Sequence, residues 1–258
     1  MSKLIKNLAF KVTHGPLDIE KLSGIIEDAY ASYNEIVDTQ KKSFAPSKIG
    51  YGSGKCPRYW YIAFEGAPFD NSKDAFSVAN MQSGTDAHKR LGDLFRRSTL
   101  DIEAIEYELS HDDPPVFGFV DIIINRAGER VVGEIKTTNS DSFNRRRASM
   151  NPPDYHLIQI LIYMYVLQSE TGFLLYENKN SHEILIMPVY MDAKNKRLVE
   201  NTFEWMRMVK KLSGDKILPS RPFKKSSKEC KDCPVSAVCW DPEKYQDGDI
   251  DVEPLRLL

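Results

Sequence analysis

Hydrophobic and polar positions repeat with two different periods along the chain, and each change of period marks an element. Leu8-Ala-Phe-Lys-Val suits an edge strand or a flexible lead. Residues 18–36 place Leu22, Ile25, Ile26, Ala29 and Tyr30 at helical spacing, which predicts a helix packing through that face. Residues 41–55, with Pro46, Gly50, Gly52 and Gly54, read as loop. Pro57 suits the first turn of a helix that begins just after Cys56. Ser83 with Asp86 resembles a capping box opening a further helix, whose inward face carries His88, Leu91 and Phe95 at i, i+3 and i+7. Residues 102–109 alternate as a strand, with Glu106 and Glu108 on one face.

The stretch 117–138 is two Val- and Ile-rich runs flanking a polar turn, the pattern of a β-hairpin. With Ala127 and Gly128 at the tip, Asp121 falls across from Glu134, and Glu134 and Lys136 share a face. A buried unpaired carboxylate is costly, so these residues need a partner, a metal or a cleft. Two readings stand at this point. One is a Glu–Lys or Asp–Lys ion pair on a solvated face. The other is a metal site, in which facing carboxylates hold a hard cation beside a lysine. His88 is likewise either a hydrogen-bonded core histidine or a ligand.

Arg145-Arg-Arg147 reads as a solvated loop or a phosphate-binding patch. Asn151-Pro-Pro-Asp154 then punctuates the chain, with Asp154 as the cap of an apolar helix in which Gln159 and Tyr163 share a face. Strands over 173–177 and 183–190 and an amphipathic helix over 193–212 follow. Residues 241–258 are acidic and read as a solvated tail, with protein binding as the alternative.

Composition narrows the function. The 258 residues carry 41% apolar side chains, enough for a packed core, and a net charge of −2, which leaves nucleic-acid binding to a local patch. No signal peptide is apparent and no apolar run spans a bilayer, which points to a soluble cytoplasmic protein without a membrane partner. No Gly-x-x-x-x-Gly-Lys-[Ser/Thr] motif is present, so no motor is expected. Four cysteines stand at 56, 230, 233 and 239. By count they suit zinc, an iron–sulfur cluster or two disulfides.

Four pieces in order carry a resemblance: Gly84-Thr-Asp-Ala-His88, Gly118-Phe-Val-Asp121, Glu134-Ile-Lys136-Thr137, and Gln159-x-x-x-Tyr163. Together they resemble the RecB-like branch of the PD-(D/E)XK nucleases over roughly residues 45–240. The lone Cys56 with the Cys230, Cys233 and Cys239 triplet resembles the iron–sulfur subset of that branch, which includes AddB-type helicase–nucleases and small CRISPR-associated exonucleases. The resemblance implies that His88, Asp121, Glu134 and the Ile135 carbonyl hold Mg²⁺ or Mn²⁺. It implies that Lys136 orients the attacking water, that Gln159 and Tyr163 line the site, and that the four cysteines hold a 4Fe–4S cluster. Thr137 and Arg58 are weaker candidates for contacts to the DNA backbone, and Tyr59, Trp60 and Tyr61 for base stacking, with core packing the alternative.

The expected architecture is therefore α/β, a central mixed sheet flanked by helices. It comprises an extension over 1–45, a nuclease core over 46–240 whose cluster subdomain joins both ends of the chain, and the acidic tail over 241–258. The expected activity is DNA exonuclease on single strands or ends, in recombination, repair, phage replication or CRISPR spacer processing. The alternatives are a structure-specific endonuclease and a non-cleaving assembly module. No residue pattern requires a homo-oligomer, though the resemblance is compatible with one.

Overall fold

A computed structural model describes residues 19–31, 40–70 and 72–257. The lead over 1–15, and the end of the helix expected over 18–36, lie outside the described residues. The helices are α1 (Ile19–Ala31), α2 (Pro57–Phe64), α3 (Ala75–Arg97), α4 (Ser140–Ser149), α5 (Asp154–Val166), α6 (Ala193–Gly214), α7 (Lys228–Lys231) and α8 (Ser236–Cys239). The strands are β1 (Ile102–His111), β2 (Val116–Arg126), β3 (Glu129–Thr138), β4 (Thr171–Asn178) and β5 (Ile184–Tyr190). They form one mixed sheet in the order β1-β2-β3-β4-β5, antiparallel except for the parallel pair β3–β4. Parallel neighbours need a crossover, and α4 with α5 supplies it.

The hairpin forms as its sequence predicts. Arg126 pairs with Glu129, and Ala127 and Gly128 turn with φ of 54° and 87°. Two positive φ values in a two-residue loop match the right-handed twist of the flanking strands. Consecutive residues of β3 face opposite layers. Glu134 bonds Gln159 on α5, whereas Ile135 packs with Leu91 of α3 and with Leu175. Helix α5 is buried from Ile158 to Met164, and with α2 and α6 it forms the main core on one side of the sheet. On the other side α3 lays Leu91 and Phe95 against Ile135, Leu175 and Phe173.

Several expectations change. Helix α3 starts eight residues before Ser83, because Asp74 caps it by accepting the Ser77 N–H at 2.8 Å; Ser83 and Asp86 are mid-helix. Residues 140–149 are helix α4 rather than solvated loop, capped by Asn139 and stopped at Met150, whose φ is 48°. Asp154 is the first residue of α5 rather than its cap. Helix α1 lies against α3, but Leu22, Ile25 and Ile26 are exposed.

The acidic segment after 240 is not a solvated tail. Val252, Leu255 and Leu257 are buried, Ile250 bridges Pro219, and Leu255 N–H donates to the Lys55 carbonyl. Three apolar side chains among the acidic ones are buried, and buried Arg58 ties the segment down. The Arg58 guanidinium donates to the carbonyls of Pro219 at 2.7 Å and Gln246 at 2.6 Å.

Candidate active site

The β2–β3 ladder ends at Ile122↔Gly133, one step before Asp121 and Glu134 would pair. Beyond it the Ile135 N–H donates to Asp121 Oδ2 at 2.6 Å instead of to a β2 carbonyl. A strand residue's N–H and C=O point to the same neighbour, so the Ile135 carbonyl also faces this gap. Across it, His88 of α3 sets Nδ1 3.3 Å from Asp121 Oδ1.

Glu106 joins them, a residue the sequence reading left as an ordinary strand position. Ligand atoms of His88, Glu106 and Asp121 all lie within 4.8 Å of one another. Glu106 has φ of 54°, a left-handed backbone that costs a non-glycine residue about 1–2 kcal/mol. Ile105 packs toward Gly92 of α3, and Glu106, its neighbour, also turns to that side. Period-two alternation assigns consecutive residues to opposite faces, so it does not find Glu106. The register Ile105↔Ile122 and Tyr107↔Val120 brackets it opposite Asp121, a pairing that only the structure supplies.

On the α5 side, Glu134 Oε1 accepts from Lys136 Nζ at 2.6 Å and from Gln159 Nε2 at 2.7 Å. Gln159 Oε1 accepts from the same lysine at 3.0 Å, so one amide spans both charges. Tyr163 OH lies 3.4 Å from Gln159 Nε2. Gly118 makes room for it, since a Cβ there would stand 3.0 Å from that hydroxyl. Glu134 is 1% exposed, and its Oε2 is buried with no hydrogen-bond partner.

The electrostatics favour a cation. Burial pushes the Glu134 carboxyl well above the usual carboxylate range, and the charge of Asp121 adds to it. Burial and Asp121 also raise Glu106. Burial opposes a charged His88, but the hydrogen bond to Asp121 and the charge of Asp121 prevail and raise it. Three carboxylates and an imidazole around one gap, with one buried oxygen unsatisfied, fit a hard divalent ion.

Other expected contacts fall elsewhere. Arg58 is fully buried against the C-terminal segment and cannot reach DNA. Tyr59, Trp60 and Tyr61 are core residues, 3%, 0% and 6% exposed, and are closed to bases. Thr137 lies beneath α3 near Gly84. Cys56, Cys230, Cys233 and Cys239 line one small cavity with Ser53, Tyr59 and Trp240. All four are free thiols, and no three of the sulfurs lie within 4.8 Å of one another. Burial pushes the Cys56 thiol up to about 12 and that of Cys233 up to about 11, and each is raised further by neighbouring cysteines.

Comparison with known proteins places the fold. An alkaline exonuclease from Laribacter hongkongensis superposes with a TM-score of 0.53 at 10% identity, covering 73% of this chain and 95% of its own. The same enzyme in complex with dAMP gives 0.52 at 11% identity, covering 67% and 89%. A structure of SSO0001 covers 87% and 98% at 17% identity with a TM-score of 0.47. At these identities the likeness is one of fold. No curated protein matches the sequence. The PD-(D/E)XK nuclease superfamily model matches residues 85–240, which hold α3 from Thr85 onward, the whole sheet, and His88, Glu106, Asp121, Glu134, Lys136, Gln159 and Tyr163. With more than half its length matched, the chain belongs to the PD-(D/E)XK nuclease superfamily.

Proposed function

We propose that this nuclease is a metal-dependent DNA exonuclease acting on single strands or DNA ends. The observation that carries it is the gap between β2 and β3, where His88, Glu106 and Asp121 converge beside the unsatisfied Glu134 Oε2 and Lys136. His88, Asp121, Glu106 and Glu134, with the Ile135 carbonyl, would hold the ion. A bound Mg²⁺ or Mn²⁺ supplies a Lewis acid for the scissile phosphate and lowers the pKa of a water. Lys136, 21% exposed at its side chain, reaches the gap from the buried floor and would orient that water and offset charge on the phosphate. Gln159 holds Lys136 and Glu134 at fixed separation, and Tyr163 backs Gln159. What supports the exonuclease character is that the two fold neighbours above are structures of an alkaline exonuclease.

The four cysteines would hold a structural 4Fe–4S cluster. Tetrahedral zinc with Zn–S near 2.3 Å needs sulfurs about 3.8 Å apart. A cluster sets its cysteines wider, because four irons and their sulfides lie between them. What supports the reading here is that all four cysteines line one cavity.

End-labelled linear and circular single strands, incubated with Mn²⁺ or Mg²⁺, test the activity. Release of nucleotides from linear strands alone supports the reading. Equal cutting of circles replaces it with an endonuclease, and no cutting of any strand sinks it. Anaerobic purification tests the cluster: brown protein absorbing near about 400 nm supports it, and colourless zinc-loaded protein overturns it.

A further inference from the structure

We propose that the cleft between α4 and the start of α5 is a channel for the phosphates of the substrate strand next to the bond being cut. This rests on the nuclease reading and adds how the strand is held. The cleft, about 450 Å³, is lined by Lys55, Ser142, Arg145, Arg146, Asn151 and Tyr155, with Asp154 as its one acidic lining residue.

The cations are set up to meet an anion. Arg146 donates to Thr138 Oγ1 at 2.6 Å and lies over the Tyr176 ring at 4.7 Å, and its Nε is buried without a partner. Its positive charge is therefore held by neutral groups. Arg145 donates to the Ser142 hydroxyl at 2.8 Å, and its ring of neighbours supplies no ion pair among the described residues. Arg147 differs. It reaches Glu183 at 3.5 Å and lies over Phe143. So of three consecutive arginines, two serve the cleft and one is spent on packing and pairing. Guanidinium groups without a carboxylate partner are suited to phosphate oxygens.

The cleft adjoins the site. Tyr176, beneath Arg146, is the cross-strand neighbour of Lys136, and Thr138 is two residues further along β3. Two strand residues span about 7 Å, so phosphates at Lys136 and at Arg146 belong to one continuous strand. Tyr155 at the cleft wall packs on half-exposed Tyr51 at 4.9 Å between ring centroids, which offers a base a stacking face beside the phosphates.

The test is binding of a labelled single strand by fluorescence anisotropy to the full-length protein in chelator, across a salt series, with turnover measured separately at saturating substrate. Arg145→Ala and Lys55→Ala should each weaken binding about 5–10-fold and flatten the log Kd against log salt slope by about 0.7. Arg147→Ala should bind as wild type does, and circular strands should show the same dependence as linear ones. Unchanged affinity and slope in Arg145→Ala and Lys55→Ala overturn the proposal. So does a loss confined to strands with a terminal phosphate, which puts an end rather than a passing backbone in the cleft. Full competition by inorganic phosphate at matched ionic strength also overturns it, because the cleft is then a free-anion site. Wild-type protein that binds with this dependence but never cleaves defeats the nuclease reading and leaves the cleft. Cleavage with unaffected variants does the reverse.

Discussion

Asp121 accepts the backbone N–H of Ile135 at 2.6 Å just where the β2–β3 ladder has ended. A side chain thus replaces a strand carbonyl, and the two strands part. The gap admits His88 from α3 and Glu106 from β1 on one side, while Glu134 and Lys136 close it from the α5 side. The site is a fault in the sheet, held open by one carboxylate.

Glu134→Gln keeps the hydrogen-bonding shape and removes the charge. Because burial already disfavours that charge, the variant should be at least as stable as the parent in chelator. Its nuclease rate should fall by about 10²-fold or more. Thermal melts and an end-labelled cleavage assay check both halves, and wild-type activity in this variant would remove Glu134 from the site.

Metal should stabilise the protein more as pH rises. Glu134 is raised above its ordinary 4.5, so in metal-free protein the folded state keeps a proton that the unfolded state loses. Stability from that group is present at low pH and is lost as pH climbs through the folded value. A dication needs the carboxylate and competes with the proton. The rise in Tm with Mn²⁺, equivalent to about 2.7 kcal/mol at a hundredfold excess over Kd, should be larger at pH 8 than at pH 6. Asp121→Asn should abolish it. An increment independent of pH would argue against carboxylate ligation.

His156 provides a pH dependence away from the metal. Its Nδ1 lies 2.9 Å from Tyr176 OH. Burial, then the charges of Lys136 and Arg146, lower its pKa from 6.5 to about 3. The folded state therefore binds fewer protons than the unfolded state between these values. Its contribution to stability is complete above 6.5 and declines as pH falls toward 3. From pH 6.5 to 5 the loss is about 2 kcal/mol. His156→Gln should lose less over the same interval in urea titrations, and identical pH profiles would refute the assignment.

Arg58→Ala should release the C-terminal segment. It leaves the Pro219 and Gln246 carbonyls without their donor and empties a fully buried position. A loss of about 2–5 kcal/mol is expected from the two unsatisfied carbonyls and the cavity, with faster hydrogen exchange over 246–257. Exchange unchanged there would mean that Val252, Leu255 and Leu257 anchor the segment alone.

Much of this was legible in the chain. The hairpin, its two-residue tip, the Pro57 helix and the buried α5 follow from local periodicity and turn chemistry, where each residue's preference agrees with its neighbours. The grouping of His88, Asp121, Glu134, Lys136, Gln159 and Tyr163 came from the order of four short motifs that resemble a nuclease family; spacing by itself shows only that Glu134 and Lys136 share a face, as do Gln159 and Tyr163. Three things were hidden. The cap at Asp74 lies ahead of the misleading Ser83–Asp86 pair. The tail's order depends on a few apolar residues meeting Lys55 and Arg58, which sequence distance conceals. Glu106 reaches the site through a left-handed backbone that no alternation rule anticipates. The chain alone set the elements and their polar interruptions, since these arise from contacts within a few residues. Where the ladder stops, which carboxylates share the resulting gap and what covers the cysteines were settled by packing between α3, β1 and the chain's two ends, because desolvation and charge act through space.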